Sequence, residues 1–170
     1  RKAPLSFTAS MTFEQNYGGV EGDSASLAEA VAIISDLAGM PVKQSIAITG
    51  SMNQHGVAQS VGGVRHKIEG FFRACEEAEV GLTGDQGVIV PASNANQILL
   101  DQNVEIAIAQ STFNIWTVET LADALELMLG APAGEKNQDG IFPPNSIFGR
   151  VRKTLDMFNE ELIRAERSES

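Results

Sequence analysis

Residues 18–39 read GGVEGDSASLAEAVAIISDLAG, a glycine-rich loop that runs directly into an apolar segment. Apolar residues recur in that segment at the spacing of one helix face: Leu27, Val31, Ile34 and Leu37. This spacing predicts a helix over residues 24–38, and Gly39 is typical of the residue that ends a helix. The sequence therefore places a serine, Ser24, where a flexible loop meets the start of a helix.

Short strands and helices alternate along the rest of the chain, with one hairpin among them. Apolar runs predict strands at residues 5–13, 44–49, 57–61, 87–91 and 113–118. Helical spacing predicts helices at residues 64–79 and 119–129, and short ones around residues 98–100 and 104–109. Because hairpin strands are mixed with helices, we expect one α+β domain over residues 1–130.

The composition changes after this domain. Residues 131–144 are rich in Pro, Gly, Asn and Asp, which predicts a linker, and residues 145–170 form a predicted C-terminal helical extension. The extension carries apolar residues three and four apart: Phe148, Val151, Leu155, Phe158 and Leu162. Such a seam packs either on its own domain or on a partner helix, and we favour its own domain.

Composition and charge narrow the class of protein. The 170 residues are 43% hydrophobic and carry 22 acids against 12 bases, a formal net charge of −10. This balance argues against binding to nucleic acid or to an anionic membrane, and no apolar stretch is long enough for a membrane segment. The single cysteine, Cys75, cannot form an internal disulfide, so we expect a reducing, cytoplasmic location. Since the chain begins with Arg1, we expect it to be part of a longer protein.

A serine hydroxyl becomes a nucleophile when a base lies within hydrogen-bond reach, so Ser24 needs a partner. Two histidines are available, His55 in a polar turn and His66 at a helix start, but their spacing does not indicate a triad. A lysine stripped of water can also act as the base, because burial favours its neutral form. Lys67 is such a candidate, since it lies in the first turn of a predicted helix.

The surroundings of these residues leave structural alternatives open. Lys67 is followed by Ile68, Phe71 and Phe72, which could form an apolar wall beside it. Taken without any other information, however, we favour a solvated surface lysine, as most lysines are. Ser26 and Glu29 match the S-x-x-E capping box, which would leave Ser24 free for chemistry. Asp23 either caps the helix or acts beside the serine. Cys75 and the strand residue Trp116 are expected to be buried for packing alone.

Three segments together resemble the proteolytic domain of the Lon protease family: VEGDSAS (20–26), AITGSMNQHG (47–56) and VGGVRHKIEG (61–70). The separations agree with that family too, with 25 residues from Ser24 to Thr49 and 18 from Thr49 to Lys67. The GDSAS form is similar to the archaeal branch and to a group of bacterial Lon-like proteins. The resemblance covers about residues 5–130, and it implies the family's α+β fold, which is like domain 2 of ribosomal protein S5.

The resemblance implies a serine endopeptidase with a serine–lysine dyad. Ser24 would attack the peptide carbonyl, Lys67 would take its proton, and Thr49 would orient the lysine. Glu21 matches an acid that closes the site in some family members, and Asp23 is typical of the GDSAS branch. Backbone N–H groups of Gly22 and Ser24 would hold the oxyanion. If Lys67 is the base, activity should rise toward mildly alkaline pH.

The resemblance also implies partners for the chain. Substrates would be unfolded proteins or peptides, and the family assembles as six-membered homo-oligomeric rings. In the family an AAA+ ATPase module unfolds substrates, and no G-x-x-x-x-G-K-[ST] loop occurs in this sequence. Either that module lies elsewhere in a longer protein, or this form degrades only unfolded chains and peptides. We expect no cofactor or metal in this chain, since it lacks H-E-x-x-H and C-x-x-C patterns. The alternative is a catalytically silent module of the same fold that serves assembly.

Overall fold

A computed structural model describes Ala9, Met11 and residues 22–168 of the chain. The helices in this part are Ser26–Ala38 (α1), Val64–Glu77 (α2), Gln102–Ala109 (α3), Leu121–Leu129 (α4) and Ile147–Ser168 (α5). The strands are Ile46–Ile48 (β1), Ser51–Met52 (β2), Ala58–Gln59 (β3), Gly87–Pro91 (β4) and Asn114–Val118 (β5). A 3₁₀ segment, Ala92–Gln97, follows β4 directly.

The strands form two small sheets. Strands β1, β4 and β5 lie parallel in the order β1-β4-β5, and Gly87 of β4 is opposite Ile46 on one side and Asn114 on the other. Strands β2 and β3 form an antiparallel hairpin in which Ser51 faces Gln59. These sheets and the packed helices confirm the predicted α+β fold.

The central strand β4 separates two apolar cores. All five of its residues are buried, which explains why its sequence is a continuous apolar run rather than an alternating one. Ile89 belongs to the core that α1, α4 and α5 cover, whereas Val88 and Val90 belong to the core that α2 and α3 cover. Helices therefore pack on both faces of the parallel sheet. Trp116 packs against the first core and Cys75 lies in the second, as predicted.

The predicted helix around residues 98–100 is wrong, because these residues are irregular in the structure. The 3₁₀ segment ends before them, at Gln97. Just after them, the Asp101 N–H donates to the carboxylate of Glu69 at 3.1 Å instead of to a carbonyl four residues earlier. A bond to a side chain of α2 thus replaces the bond that a continuous helix would make.

The last helix is packed over its beginning and exposed over its second half. Ile147 is fully buried, and Phe148 and Val151 pack against the first core, so this part of the seam lies on its own domain as predicted. Phe158 and Leu162 are exposed, at 40% and 55%. The division into a domain, a linker over residues 131–144 and an extension stays a prediction.

Two expectations concern other parts of the chain. The strand predicted at residues 5–13 lies outside the described residues except for Ala9 and Met11. Among the helices that the structure describes, none combines the length and the apolar character needed to cross a membrane.

Candidate active site

The turn before α1 is bound to the end of β1. The carbonyl of Ser24 accepts the Gly50 N–H at 2.9 Å, and the Leu27 N–H donates to the Gly50 carbonyl at 3.1 Å. A methyl group at Gly50 would lie 3.0 Å from Cδ2 of Leu27, so the close approach favours glycine there. These contacts join the described part of the first resembling segment, from Gly22 onward, to the second segment, 47–56.

Thr49 connects Ser24 to Lys67. Its side chain is 6% exposed, and its hydroxyl donates to the Ser24 carbonyl at 3.3 Å. The same oxygen accepts from Nζ of Lys67 at 3.1 Å. A hydroxyl has one proton and two lone pairs, so it can make both bonds at once. The structure thus brings together the serine, the threonine and the lysine that the sequence singled out.

Ser24, Thr49 and Lys67 line one cleft of about 270 Å³. The rest of its lining is apolar and small: Ala25, Ala28, Ala47, Ile48 and Val88. These side chains come from α1, β1 and β4, so the cleft lies where the first helix meets the parallel sheet. It offers a short apolar recess next to a hydroxyl and an amine.

The apolar wall predicted from the helix of Lys67 is wrong. Ile68 and Phe72 are buried in the second core, while Lys67 itself is exposed. The reason is helix geometry, since consecutive residues lie 100° apart around the axis and cannot all face one side. The apolar surface at the cleft comes instead from other elements.

The predicted capping box is also wrong. Helix α1 begins at Ser26 rather than at Ser24, its N-cap is Ala25, and no side chain caps it. The hydroxyl of Ser26 instead accepts the N–H of Met52 at 3.0 Å. Because Ser26 is the first helical residue rather than the cap, its side chain is directed to the hairpin.

Asp23 binds a buried serine that the sequence analysis missed. The hydroxyl of Ser51, which is 4% exposed, donates to Oδ2 of Asp23 at 2.7 Å. The Asp23 side chain therefore does not cap α1, although its carbonyl accepts the Ser26 N–H at 3.0 Å. A signal was present, because Ser51 follows Thr49 by two residues and thus points to the same side of an extended chain.

The loop before Ser24 is described from Gly22 onward. Gly22 has φ of 100°, a conformation that side-chain-bearing residues rarely adopt, which accounts for glycine in the GDSAS segment. Glu21, the predicted closing acid, lies outside the described residues. Within residues 22–168, the N–H of Ser24 donates to no protein acceptor, so it is available to a bound oxyanion.

The first turns of α2 carry a second cation, Arg65. Arg65 and His66 are exposed, but Nε of Arg65 donates to the buried Glu69 at 2.7 Å and its terminal nitrogen bonds to Asp101. The hydrogen bond to Glu69 and its charge raise the pKa of the Arg65 guanidinium, and Asp101 adds to the effect. Arg65 therefore stays charged at any working pH.

The other candidate groups lie away from the cleft. Neither His55 nor His66 contributes to its lining. Cys75 is buried in the second core, and burial raises the pKa of its thiol, which opposes a role as nucleophile. Among the described residues, no group of three or more His, Cys, Asp or Glu side chains is arranged to hold a metal ion.

Fold and cleft together define an α+β domain in which a serine and a lysine line one recess. The family model for the Lon protease (S16) C-terminal proteolytic domain matches residues 18–131. The chain belongs to the Lon protease family, and the resemblance carried by the three segments is confirmed. The part of the family that this chain matches is its C-terminal proteolytic domain.

Several relatives are similar to this chain. A Lon protease homolog of Escherichia coli is 53% identical over 125 residues, which is 74% of this chain and 21% of that protein. One of Haemophilus influenzae is 47% identical over 152 residues, 89% of this chain and 25% of that protein. An archaeal Lon protease of Methanothermobacter thermautotrophicus is 43% identical over 114 residues, which is 67% of this chain and 16% of that protein. The chain thus spans at most a quarter of the length of these relatives.

Proposed function

We propose that this domain is a serine endopeptidase that cleaves unfolded polypeptides through a dyad of Ser24 and Lys67. The observation that carries the proposal is the link from Lys67 Nζ through Thr49 Oγ1 to the Ser24 carbonyl. It joins three residues that are far apart in sequence and that line the same cleft. Family membership supports the peptidase activity independently.

The reaction follows from the chemistry of these two side chains. The neutral amine of Lys67 takes the proton of the Ser24 hydroxyl while the serine oxygen bonds to the scissile carbonyl carbon. The C–N bond then breaks, and the ammonium returns that proton to the leaving amine. Water, deprotonated by the same amine, attacks the resulting ester, and the serine regains its proton as the peptide acid leaves.

Thr49 would orient the base. A lysine amine rotates about four side-chain bonds, and proton transfer requires one direction. Its bond to a buried hydroxyl, which is itself held by the Ser24 carbonyl, restricts that rotation. Because Lys67 is exposed in the described chain, a polypeptide bound in the cleft would supply the exclusion of water that favours the neutral amine.

The turn at residues 22–24 would stabilise the oxyanion. The N–H of Ser24 is available, and Gly22 permits the backbone to approach the substrate closely. Donors placed where negative charge develops commonly account for about 10²- to 10³-fold in rate. The bond of Asp23 to Ser51 would keep this turn in place without placing a carboxylate on the lysine.

The wider context is proposed from the family alone. We infer that the domain works as the proteolytic part of a longer, cytoplasmic, ATP-dependent protease, joined to an AAA+ ATPase module and assembled as a homo-hexameric ring. No cofactor is needed by the dyad itself. The short length of this chain relative to its relatives is compatible with such a division of labour.

The test is degradation of unfolded casein and of a fluorogenic peptide by the wild-type chain, the Ser24→Ala variant and a Ser60→Ala control. Ser60 is an exposed serine outside the cleft. Cleavage by the wild type and the control, lost with Ser24→Ala, is the expected result. Cleavage that survives Ser24→Ala would contradict the dyad, and no cleavage by any variant would favour the silent assembly module.

A further inference from the structure

Four of the five buried polar residues in the described chain bind the segments that carry the dyad. They are Thr49, Ser51, Glu69 and Asn94, and the fifth, Ser146, bonds at the start of α5. Burying a polar group is costly unless it is hydrogen-bonded, so such groups mark places where position matters. Thr49 and Ser51 hold the serine side of the cleft, which leaves Glu69 and Asn94 to be explained.

Glu69 lies on the helix of the catalytic lysine, two residues after it. Its carboxylate is 4% exposed and accepts two bonds, from Nε of Arg65 at 2.7 Å and from the N–H of Asp101 at 3.1 Å. A terminal nitrogen of Arg65 also bonds to the Asp101 side chain, so the three residues form a closed network. This network fixes the beginning of α2 to the residue that precedes α3.

Asn94 holds the chain on the other side of the same helix start. Its amide accepts the Val61 N–H at 3.1 Å and donates to the Val61 carbonyl at 3.0 Å. Gly62 and Gly63 lie between that point and α2, and Gly63 has φ of 68° and no side-chain cap. Residues 94–101 are therefore hydrogen-bonded to the chain on both sides of the pair Gly62 and Gly63. Without these bonds the two glycines would leave the backbone free to bend at this point.

We propose that Glu69 is a positioning residue for the reaction, which anchors the first turns of α2 to Asp101 and thereby keeps the Lys67 amine on the Thr49 hydroxyl. Residues two apart lie 200° apart around a helix, so Lys67 projects away from Glu69. Rotation of α2 about its axis would consequently displace the amine directly. This inference rests on the proposed function, and its test separates the two.

The kinetic test compares Glu69→Ala with Glu69→Gln, which keeps an oxygen acceptor for Arg65 and Asp101. Since misplacement of a catalytic group by 1 Å can cost about 100-fold, we expect Glu69→Ala to lower kcat by about 10- to 100-fold with KM unchanged. Glu69→Gln should restore most of kcat. The matched control is Arg152→Ala, which breaks an i,i+4 ion pair of the same kind on α5.

A second measurement reports the reactivity of the Lys67 amine and requires no substrate turnover. Acetic anhydride labelling of Lys67, relative to the exposed Lys43, is measured by peptide mass spectrometry in the Ser24→Ala background. Loss of one hydrogen bond to Thr49 corresponds to about two- to tenfold faster labelling in the Glu69→Ala variant. Faster labelling supports positioning even if the Ser24 mechanism fails in the casein assay, so the two failures are distinguishable.

Folding is controlled by circular dichroism. If Glu69→Ala does not fold, the double variant Arg65→Met/Glu69→Leu replaces the ion pair by apolar groups of similar volume, an exchange that is often neutral for stability. A folded variant with wild-type kcat and wild-type Lys67 labelling would overturn the proposal. Loss of kcat that Glu69→Gln fails to restore, with unchanged labelling, would also overturn it.

Discussion

Arg65 and Lys67 lie two residues apart at the start of α2, yet their cationic groups meet different partners. Arg65 binds two carboxylates, Glu69 and Asp101, whereas Lys67 donates to the hydroxyl of Thr49 and forms no salt bridge within residues 22–168. A carboxylate partner favours the charged form of a cation, and Lys67 has a neutral hydroxyl as its partner instead. The difference separates a cation that fixes the helix from the amine that is the proposed base.

The largest difference is expected when each cation is replaced by methionine. Lys67→Met removes the base, so kcat/KM on a fluorogenic peptide should fall on the order of 10³- to 10⁴-fold. Arg65→Met leaves the bond between Glu69 and the Asp101 N–H in place and should lose far less, about tenfold at most. Initial rates on variants checked by circular dichroism measure this. Equal losses would remove the distinction between the two cations.

Replacing the hydroxyl partner of Lys67 should have the next largest effect. Thr49→Val keeps the shape of the side chain but removes both hydrogen bonds, so kcat should fall about 10- to 100-fold with KM unchanged. Thr49→Ser restores the hydroxyl and should recover most of the rate. Steady-state kinetics of the two variants measure these changes in kcat and KM. A Thr49→Val protein with normal kcat would show that Lys67 needs no orientation by the Thr49 hydroxyl.

The pH dependence of kcat/KM also distinguishes Arg65 from Lys67. The pKa of Arg65 is raised by Glu69, so the stability from this pair is present below the ordinary pKa of arginine and is lost only at strongly alkaline pH. Arg65 thus does not titrate between pH 6 and 10, so a rise in kcat/KM over that interval is the behaviour expected if activity depends on the proposed amine base. Arg65→Met should keep this rise. A profile that falls toward pH 10 in the wild type would argue against an amine base.

The smallest effect on activity is expected at Cys75, whose thiol also lies on α2. Burial raises the pKa of the Cys75 thiol, so its alkylation by iodoacetamide at pH 8 should be much slower in the folded chain than in urea. Cys75→Ala should leave kcat unchanged because the residue lies in the second core. Rapid alkylation of the folded chain together with loss of activity would place Cys75 in the mechanism instead.

Local sequence patterns predicted much of this fold. Helix α2 begins at Val64 as predicted, α1 ends before Gly39 as predicted, and strand β4 covers the predicted residues. The order and direction of the strands could not be read from these patterns, because pairing is decided between segments far apart in the chain. The capping box at Ser26 failed for a related reason, since a tertiary bond to Met52 took its hydroxyl.

The candidate site was predictable in its residues and not in its surroundings. The resemblance to the Lon family implied Ser24, Thr49 and Lys67 as site residues, and the structure places them around one cleft. Ser51 was missed although its place two residues after Thr49 was a signal, and its partner Asp23 is defined only after folding. Glu69 was missed because it has no local signature and is defined only by what it contacts after folding. The apolar wall was misassigned to the helix of Lys67, whereas α1 and the sheet supply it.

Labelling of Ser24 by a fluorophosphonate tests the central claim most directly, because the reagent reports activation of one hydroxyl without requiring a substrate. Intact mass and peptide mapping would be compared for the wild type, Arg65→Met and Lys67→Met. We predict a single adduct on Ser24 in the wild type and in Arg65→Met, and none in Lys67→Met over the same time. An adduct that forms equally fast in Lys67→Met, or on a different serine, would contradict the dyad.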